Sequence, residues 1–127
     1  MRKIYLSGKI TDLPTNESKK HFDKGGDYAV KYLQKIRNID HPEIINPMGI
    51  RPFMGFKNWV CYMIADIREM RKCDTVYHLH NWRDSPGATI EHYVALRRKM
   101  NILYHRDCKQ ELKSFYKNNR FKKQQTT

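Results

Sequence analysis

A single three-layer α/β/α domain with a mostly parallel sheet of four or five strands is predicted by three observations. Short β-branched or aromatic segments alternate with longer segments of helical periodicity, and a chain of 127 residues can bury one core. The first strand-like segment, Arg2-Lys3-Ile4-Tyr5-Leu6, runs into Ser7-Gly8, the kind of βα turn that meets a ligand in open α/β sheets.

The elements follow in order. Strands are expected near residues 2–7, 42–46, 74–79 and 101–105. No G-x-G-x-x-G or Walker sequence follows the first strand, so no nicotinamide or triphosphate-cleaving site is indicated and no cofactor is expected. A helix is predicted from about Asn16 to Arg37, with Phe22, Ala29, Leu33 and Ile36 on one face and Gly26 at a close backbone approach. Gly25-Gly26 is alternatively a kink. The stretch from Met48 to Phe56 is punctuated by Gly and Pro and rich in apolar rings; it suits a lid over a planar ligand, an oligomer contact or a core plug equally. From Trp59 to Arg71, Val60, Met63, Ile64, Ile67 and Met70 recur at helical spacing, and Asp66 lies at the edge of their stripe beside Trp59 and Met63. Such a carboxylate is either half-buried or turned to water.

The segment Thr75-Val76-Tyr77-His78-Leu79-His80 is broken by Asp84-Ser85-Pro86-Gly87, where Ser85 suits an N-cap and Pro86 the first helical position. In the helix that follows, Ile90, Tyr93, Val94, Leu96 and Met100 fill one broad apolar arc, and Glu91 falls outside its centre, near the N-terminus and facing the strand ends. Free N–H groups at a helix N-terminus attract anions, and Gly87-Ala88 would let a ligand approach the backbone. The plainer alternative is that Ser85 and Pro86 only start a helix and Glu91 is a surface carboxylate. The domain is taken as residues 1–107, followed by a basic C-terminal helix and frayed tail over 108–127.

The sequence resembles the nucleoside 2-deoxyribosyltransferase-like proteins over Met1 to about His105. The resemblance rests on Ile4-Tyr5-Leu6-Ser7-Gly8, Ile45-Asn46-Pro47, Asp66 eight residues before Asp74, and Ser85-x-Gly87-x-x-x-Glu91. It is strongest to a branch carrying W-x-x-S-x-G-A-x-x-E, matched by Trp82, Ser85, Gly87, Ala88 and Glu91. It implies a flavodoxin/Rossmann-like fold, nucleophilic attack by Glu91 on the anomeric carbon of a nucleoside, proton traffic at the base through Asp66, and a holding role for Tyr5. Ser7, Gly8, Asp84, Ser85, Gly87 and Ala88 are the expected substrate-binding positions.

Cleaving an N-glycosidic bond builds oxocarbenium-like charge, which one carboxylate stabilises or traps while a second acid protonates the leaving base. A helix N-terminus would favour ionised Glu91, and partial burial would keep a proton on Asp66. Whether water or a second base resolves the intermediate is left open. In relatives acting on free nucleosides an aspartate at the Ser85 position binds the 5′-hydroxyl, so serine there favours a 5′-phosphate; Asp84 takes over the hydroxyl-binding role if the turn is shifted by one residue. Similar proteins form dimers or larger assemblies, so a homo-oligomer is expected.

A formal charge of +12 and an isoelectric point of about 9.8 carry a second reading. The excess sits partly in Arg97-Arg98-Lys99 and in a tail where Lys109, Lys113, Lys117, Arg120, Lys122 and Lys123 face only Glu111, with Tyr116 and Phe121 interleaved. Weak, salt-sensitive nucleic-acid binding follows from that charge, and the alternative to an enzyme is a non-catalytic nucleotide-binding or nucleic-acid-associated protein. Cys61, Cys73 and Cys108 are far apart and no C-x-x-C or H-x-x-x-H pair occurs, so no metal site is expected. His78 and His80 alternate and should share a strand face, while His92 adjoins Glu91 in sequence only. The odd cysteine count and the lack of a signal segment or membrane-length run argue for a reducing cytoplasm and no membrane partner.

Overall fold

In the computed structural model, which describes residues 3–8, 15–47 and 59–125, the elements are β1 (Lys3–Ser7), α1 (Thr15–Lys35), β2 (Glu43–Ile45), α2 (Trp59–Met70), β3 (Thr75–His78), a 3-10 turn (Trp82–Asp84), α3 (Pro86–Arg97), β4 (Asn101–Tyr104) and α4 (His105–Gln125). The four strands form one all-parallel sheet in the order β2-β1-β3-β4. The strand order therefore reverses at β1, and the helices divide between the two faces as right-handed crossovers require. The expected lid, residues 48–56, lies outside the described residues.

Alternation along β1 and β3 sends residues to opposite layers. Ile4, Leu6 and Tyr77 pack with Leu79 against Phe22, Ala29, Tyr32 and Leu33 of α1 and Cys108 and Leu112 of α4. Tyr5 and Val76 pack on the other face with Met70 of α2 and Ala95 of α3. Helix α4 begins at His105, three residues ahead of the expected start, and its first turns belong to the core. Helix α1 runs through Gly25-Gly26 without a break. A side chain at Gly25 would collide with Leu79, and one at Gly26 would stand 3.4 Å from Leu6 Cδ1, so both glycines let the helix approach the sheet.

Helix α3 is turned differently from its hydrophobic pattern. Ile90, Tyr93 and Leu96 are 40%, 57% and 54% exposed, whereas Gly87, Ala88, Glu91 and Ala95 are buried. Only Val94 and Met100 of the expected arc reach the core, and only in part. The physical reason is steric: a helix lying close on the sheet needs small residues at the contact, and that leaves the large apolar side chains facing out.

Candidate active site

Reversal of strand order opens a crevice beyond the carboxyl ends of β1 and β3, where ligands bind in open α/β sheets. Register places Tyr5 opposite Val76 and Ser7 opposite His78. Tyr5 and Ser7 are two residues apart on one strand and so face the same helical layer, α2 and α3.

The chain enters α3 through a well-formed cap. Ser85 is extended (φ −111°, ψ 118°), and its Oγ accepts a hydrogen bond from the Ala88 N–H at 3.1 Å, with Pro86 at the start of the helix. This capping fixes the helix start at Ser85; Asp84 belongs to the preceding 3-10 turn and is exposed. The cap also occupies the Ala88 N–H. Glycines in the site serve packing: the space a side chain would take at Gly8 is filled by Leu79, and at Gly87 by Met63, whose Sδ would stand 2.9 Å from it. Contact between Gly87 and Met63 seats α2 on α3. Three residues beyond Met63 on α2 is Asp66, and four beyond Gly87 on α3 is Glu91, so one contact sets both carboxyls on the facing sides.

Glu91 is 4% exposed and Asp66 8%. The Ser7 hydroxyl donates to Glu91 Oε1 at 3.1 Å. The Tyr5 hydroxyl and Glu91 Oε2 are both buried without a well-formed hydrogen bond, yet close enough for the phenol to favour the ionised carboxylate. Burial pushes Glu91 up to about 8, with the Asp66 charge adding to the rise and the Tyr5 and Ser7 hydroxyls opposing it. Burial alone pushes Asp66 up to about 7. Tyr5 is held well above its ordinary value by burial and then by the charges of Glu91 and Asp66. The structure thus brings Tyr5, Ser7, Asp66 and Glu91 into one electrostatically linked group.

Burial favours a proton on Asp66, as expected, but the expectation that the helix N-terminus favours ionised Glu91 is corrected in the free protein, where burial favours the protonated form of Glu91 as well. Glu91 stands in the second turn of α3, beyond the first turn where the helix dipole acts, so desolvation outweighs it.

Beside this group lies a cluster of rings that the sequence reading missed. His78 stacks on Trp82 with ring centroids 4.4 Å apart and on Tyr104 at 5.6 Å, and its Nε2 is 3.0 Å from His92 Nδ1. Burial pushes His78 down to about 3, helped by His92, so its ring is neutral. His78 and His80 do not share a face: β3 ends at His78, and His80 stacks instead on His21 of α1 at 4.8 Å. No local sequence signal marks this cluster, because the register of His78 with Tyr104 exists only once β3 and β4 pair. His78, Trp82 and Tyr104 line a cavity of about 420 Å³ that also reaches Arg83 and Asp107. Among the described residues no group of three or more His, Cys, Asp or Glu is placed to hold a metal ion.

A family model described as a domain of unknown function, DUF4406, matches residues 2–104, from β1 to the end of β4. No curated protein matches the chain.

Proposed function

The chain belongs to the DUF4406 family, a domain of unknown function, and we propose that it cleaves or exchanges the N-glycosidic bond of a nucleoside or nucleoside 5′-monophosphate with Glu91 as nucleophile. One observation carries the reading: a buried glutamate, hydrogen-bonded by Ser7 and linked electrostatically to Asp66 and Tyr5, stands at the switch point of a parallel sheet. A carboxyl is costly to bury and adds little to packing, so a cluster of two points to chemistry. The match of Trp82, Ser85, Gly87, Ala88 and Glu91 to the W-x-x-S-x-G-A-x-x-E pattern of nucleoside 2-deoxyribosyltransferase-like proteins supports the same assignment.

Passage of a proton from Glu91 to Asp66 gives the arrangement the reaction needs. An ionised Glu91 oxygen bonds to the anomeric carbon as the carbon–nitrogen bond breaks, the bonding pair leaves with the base, and Asp66 supplies the proton the base takes up. Ser7 and Tyr5 hold the nucleophile and favour its anion. Water or a second base then releases the sugar and frees Glu91. His78, Trp82 and Tyr104 offer a stacking wall beside the carboxylates for a planar base. The buried Ser85 hydroxyl at the α3 cap favours a 5′-phosphate. The apolar residues left exposed on α3, with Ile64 of α2 at 61% exposure, favour a homo-oligomer. Among the described residues no helix is long and apolar enough to cross a membrane, and we place the activity in the cytoplasm.

The test is base release from ribo- and deoxyribonucleosides and their 5′-monophosphates, with and without an acceptor base, for wild type, Glu91→Ala and Asp66→Asn. Release that vanishes with Glu91→Ala establishes the glycosidic enzyme, and dependence on the acceptor makes it a transferase. No release from any substrate favours the second reading, a basic nucleotide-binding or nucleic-acid-associated protein, which rests on the charge of +12.

A further inference from the structure

On the α1/α4 face of the sheet, away from the carboxylates, a cavity of about 640 Å³ opens where the first half of α1, the residues after β3 and the start of α4 meet. Gly25 brings its walls together, because the helix can lie against Leu79 only without a side chain there. Lys20 and Lys24 of α1 thereby border the same space as Arg106 and Lys109 of α4, and among the described residues no carboxylate lines it.

Three imidazoles complete the wall. His80 is stacked on His21 and its centroid lies 6.4 Å from that of His105. His105 is fixed from behind: the fully buried Tyr77 hydroxyl is 2.6 Å from its Nδ1, and Tyr28 packs edge-on at 4.9 Å. Burial holds the Tyr77 proton in place, so the phenol donates to Nδ1 and the neutral His105 ring keeps its proton on Nε2, as a donor. Crowding of like charge shows in the rings: after burial, His80 is depressed by His21, Lys24 and Lys109, and His105 by His80, Lys109 and Lys24. Cations gathered around one cavity repel one another, and a multivalent anion relieves that repulsion.

We propose that this cavity binds a phosphate-bearing anion carrying at least two negative charges. Point-charge lysines, one arginine fork and oriented imidazole donors suit phosphate oxygens. The space exceeds what one carboxylate fills. Glu91 lies across the sheet and lines neither cavity, although this cavity adjoins the one beside His78, Trp82 and Tyr104, sharing Leu79, His80, His105 and Arg106 with it. The anion's phosphates come from a small phosphate ester or from a nucleic-acid backbone, and the experiment separates the two.

The full chain is titrated with inorganic pyrophosphate by calorimetry and with a labelled single-stranded oligonucleotide by anisotropy at moderate salt. Wild type is compared with Lys24→Gln/Lys109→Gln and with Arg98→Gln/Lys99→Gln, which removes the same charge at the far end of α3. Pyrophosphate affinity is expected to fall about tenfold or more with the cavity pair and about twofold or less with the control pair. Pyrophosphate is also expected to raise the melting temperature of wild type and not of the cavity pair. An oligonucleotide that competes with pyrophosphate and shares its sensitivity to the cavity pair identifies the backbone as the source; one that weakens equally with both pairs leaves the small ester. Absence of pyrophosphate binding, or equal weakening by the two pairs, overturns the proposal.

Discussion

The Ser7 hydroxyl, at the last residue of β1, hydrogen-bonds Glu91 Oε1 in the second turn of α3 at 3.1 Å, across 84 residues of sequence. That bond ties the nucleophile of the proposed reaction to the sheet rather than to its own helix. It holds one carboxylate oxygen and opposes the burial that would keep Glu91 protonated.

Removal of that donor by Ser7→Ala is expected to raise the Glu91 proton affinity further and to lower kcat/KM by about tenfold, with about 1 kcal/mol lost in stability. The wild-type profile of kcat/KM against pH should be bell-shaped, because the active form carries one proton on the Glu91–Asp66 pair; its limbs belong to groups pushed to about 7 and about 8. In Ser7→Ala the alkaline limb moves to higher pH. A rate that is flat from acid to alkaline pH removes the pair from the mechanism.

Stability should peak on the acid side of neutrality. Glu91 is raised from 4.5 to about 8, so folding is favoured fully below the unfolded value and this contribution is lost as pH climbs through about 8. His78 is lowered from 6.5 to about 3, so its contribution is complete above the unfolded value and is lost as pH falls toward the folded one. Thermal melts across this range should show Glu91→Gln close to wild type at pH 5 and more stable by a few kcal/mol at pH 9, where a tenfold change in proton affinity corresponds to about 1.4 kcal/mol. A residual decline remains from Asp66, which is raised to about 7. An equal shift in melting temperature at both ends contradicts a buried, protonated Glu91.

Two glycines should respond to alanine in opposite ways. In Gly87→Ala the new methyl meets the flexible end of Met63 at 2.9 Å. Displacement of Met63 and gained helix propensity nearly cancel, leaving stability within about 1 kcal/mol. Activity falls about tenfold, because α2 carries Asp66 away from Glu91. Gly25→Ala drives a methyl into the branched end of Leu79 and should cost about 1–3 kcal/mol. Base-release kinetics beside denaturant unfolding of both variants distinguishes them.

Lys99 adopts φ 55° after the Arg98 cap of α3, a left-handed conformation that glycine takes without steric cost. Lys99→Gly should therefore stabilise the fold by about 0.5–1 kcal/mol. Asn38, at φ 57° after α1, already tolerates the left-handed region, so Asn38→Gly should gain less. Chemical denaturation of the two single variants makes the comparison.

Local signals were enough for the backbone plan. β-Rich alternation, the Ser85-Pro86 start of α3 and the periodicity of α1 and α2 placed the strands and helices within a few residues, because each signal acts over one turn or one strand. The motif around Ser85 and Glu91 also picked out residues that the fold gathers: Ser7, Tyr5, Asp66 and Glu91 are linked in the interior. Helix orientation was not legible. Hydrophobic periodicity turned Ile90, Tyr93 and Leu96 inward, whereas close packing on the sheet required Gly87, Ala88 and Ala95 at the contact and carried Glu91 in with them. The same burial raises the proton affinity of Glu91, pairing of β3 with β4 brings His78 beside Tyr104, and the approach of α1 to Leu79 at Gly25 gathers Lys24, Arg106 and Lys109 around one cavity. The sequence by itself determined where the chain extends and coils, since those preferences are local. Only the tertiary structure decided which side chains leave water and which charges meet, because desolvation and Coulomb interaction depend on distances between elements far apart in the chain.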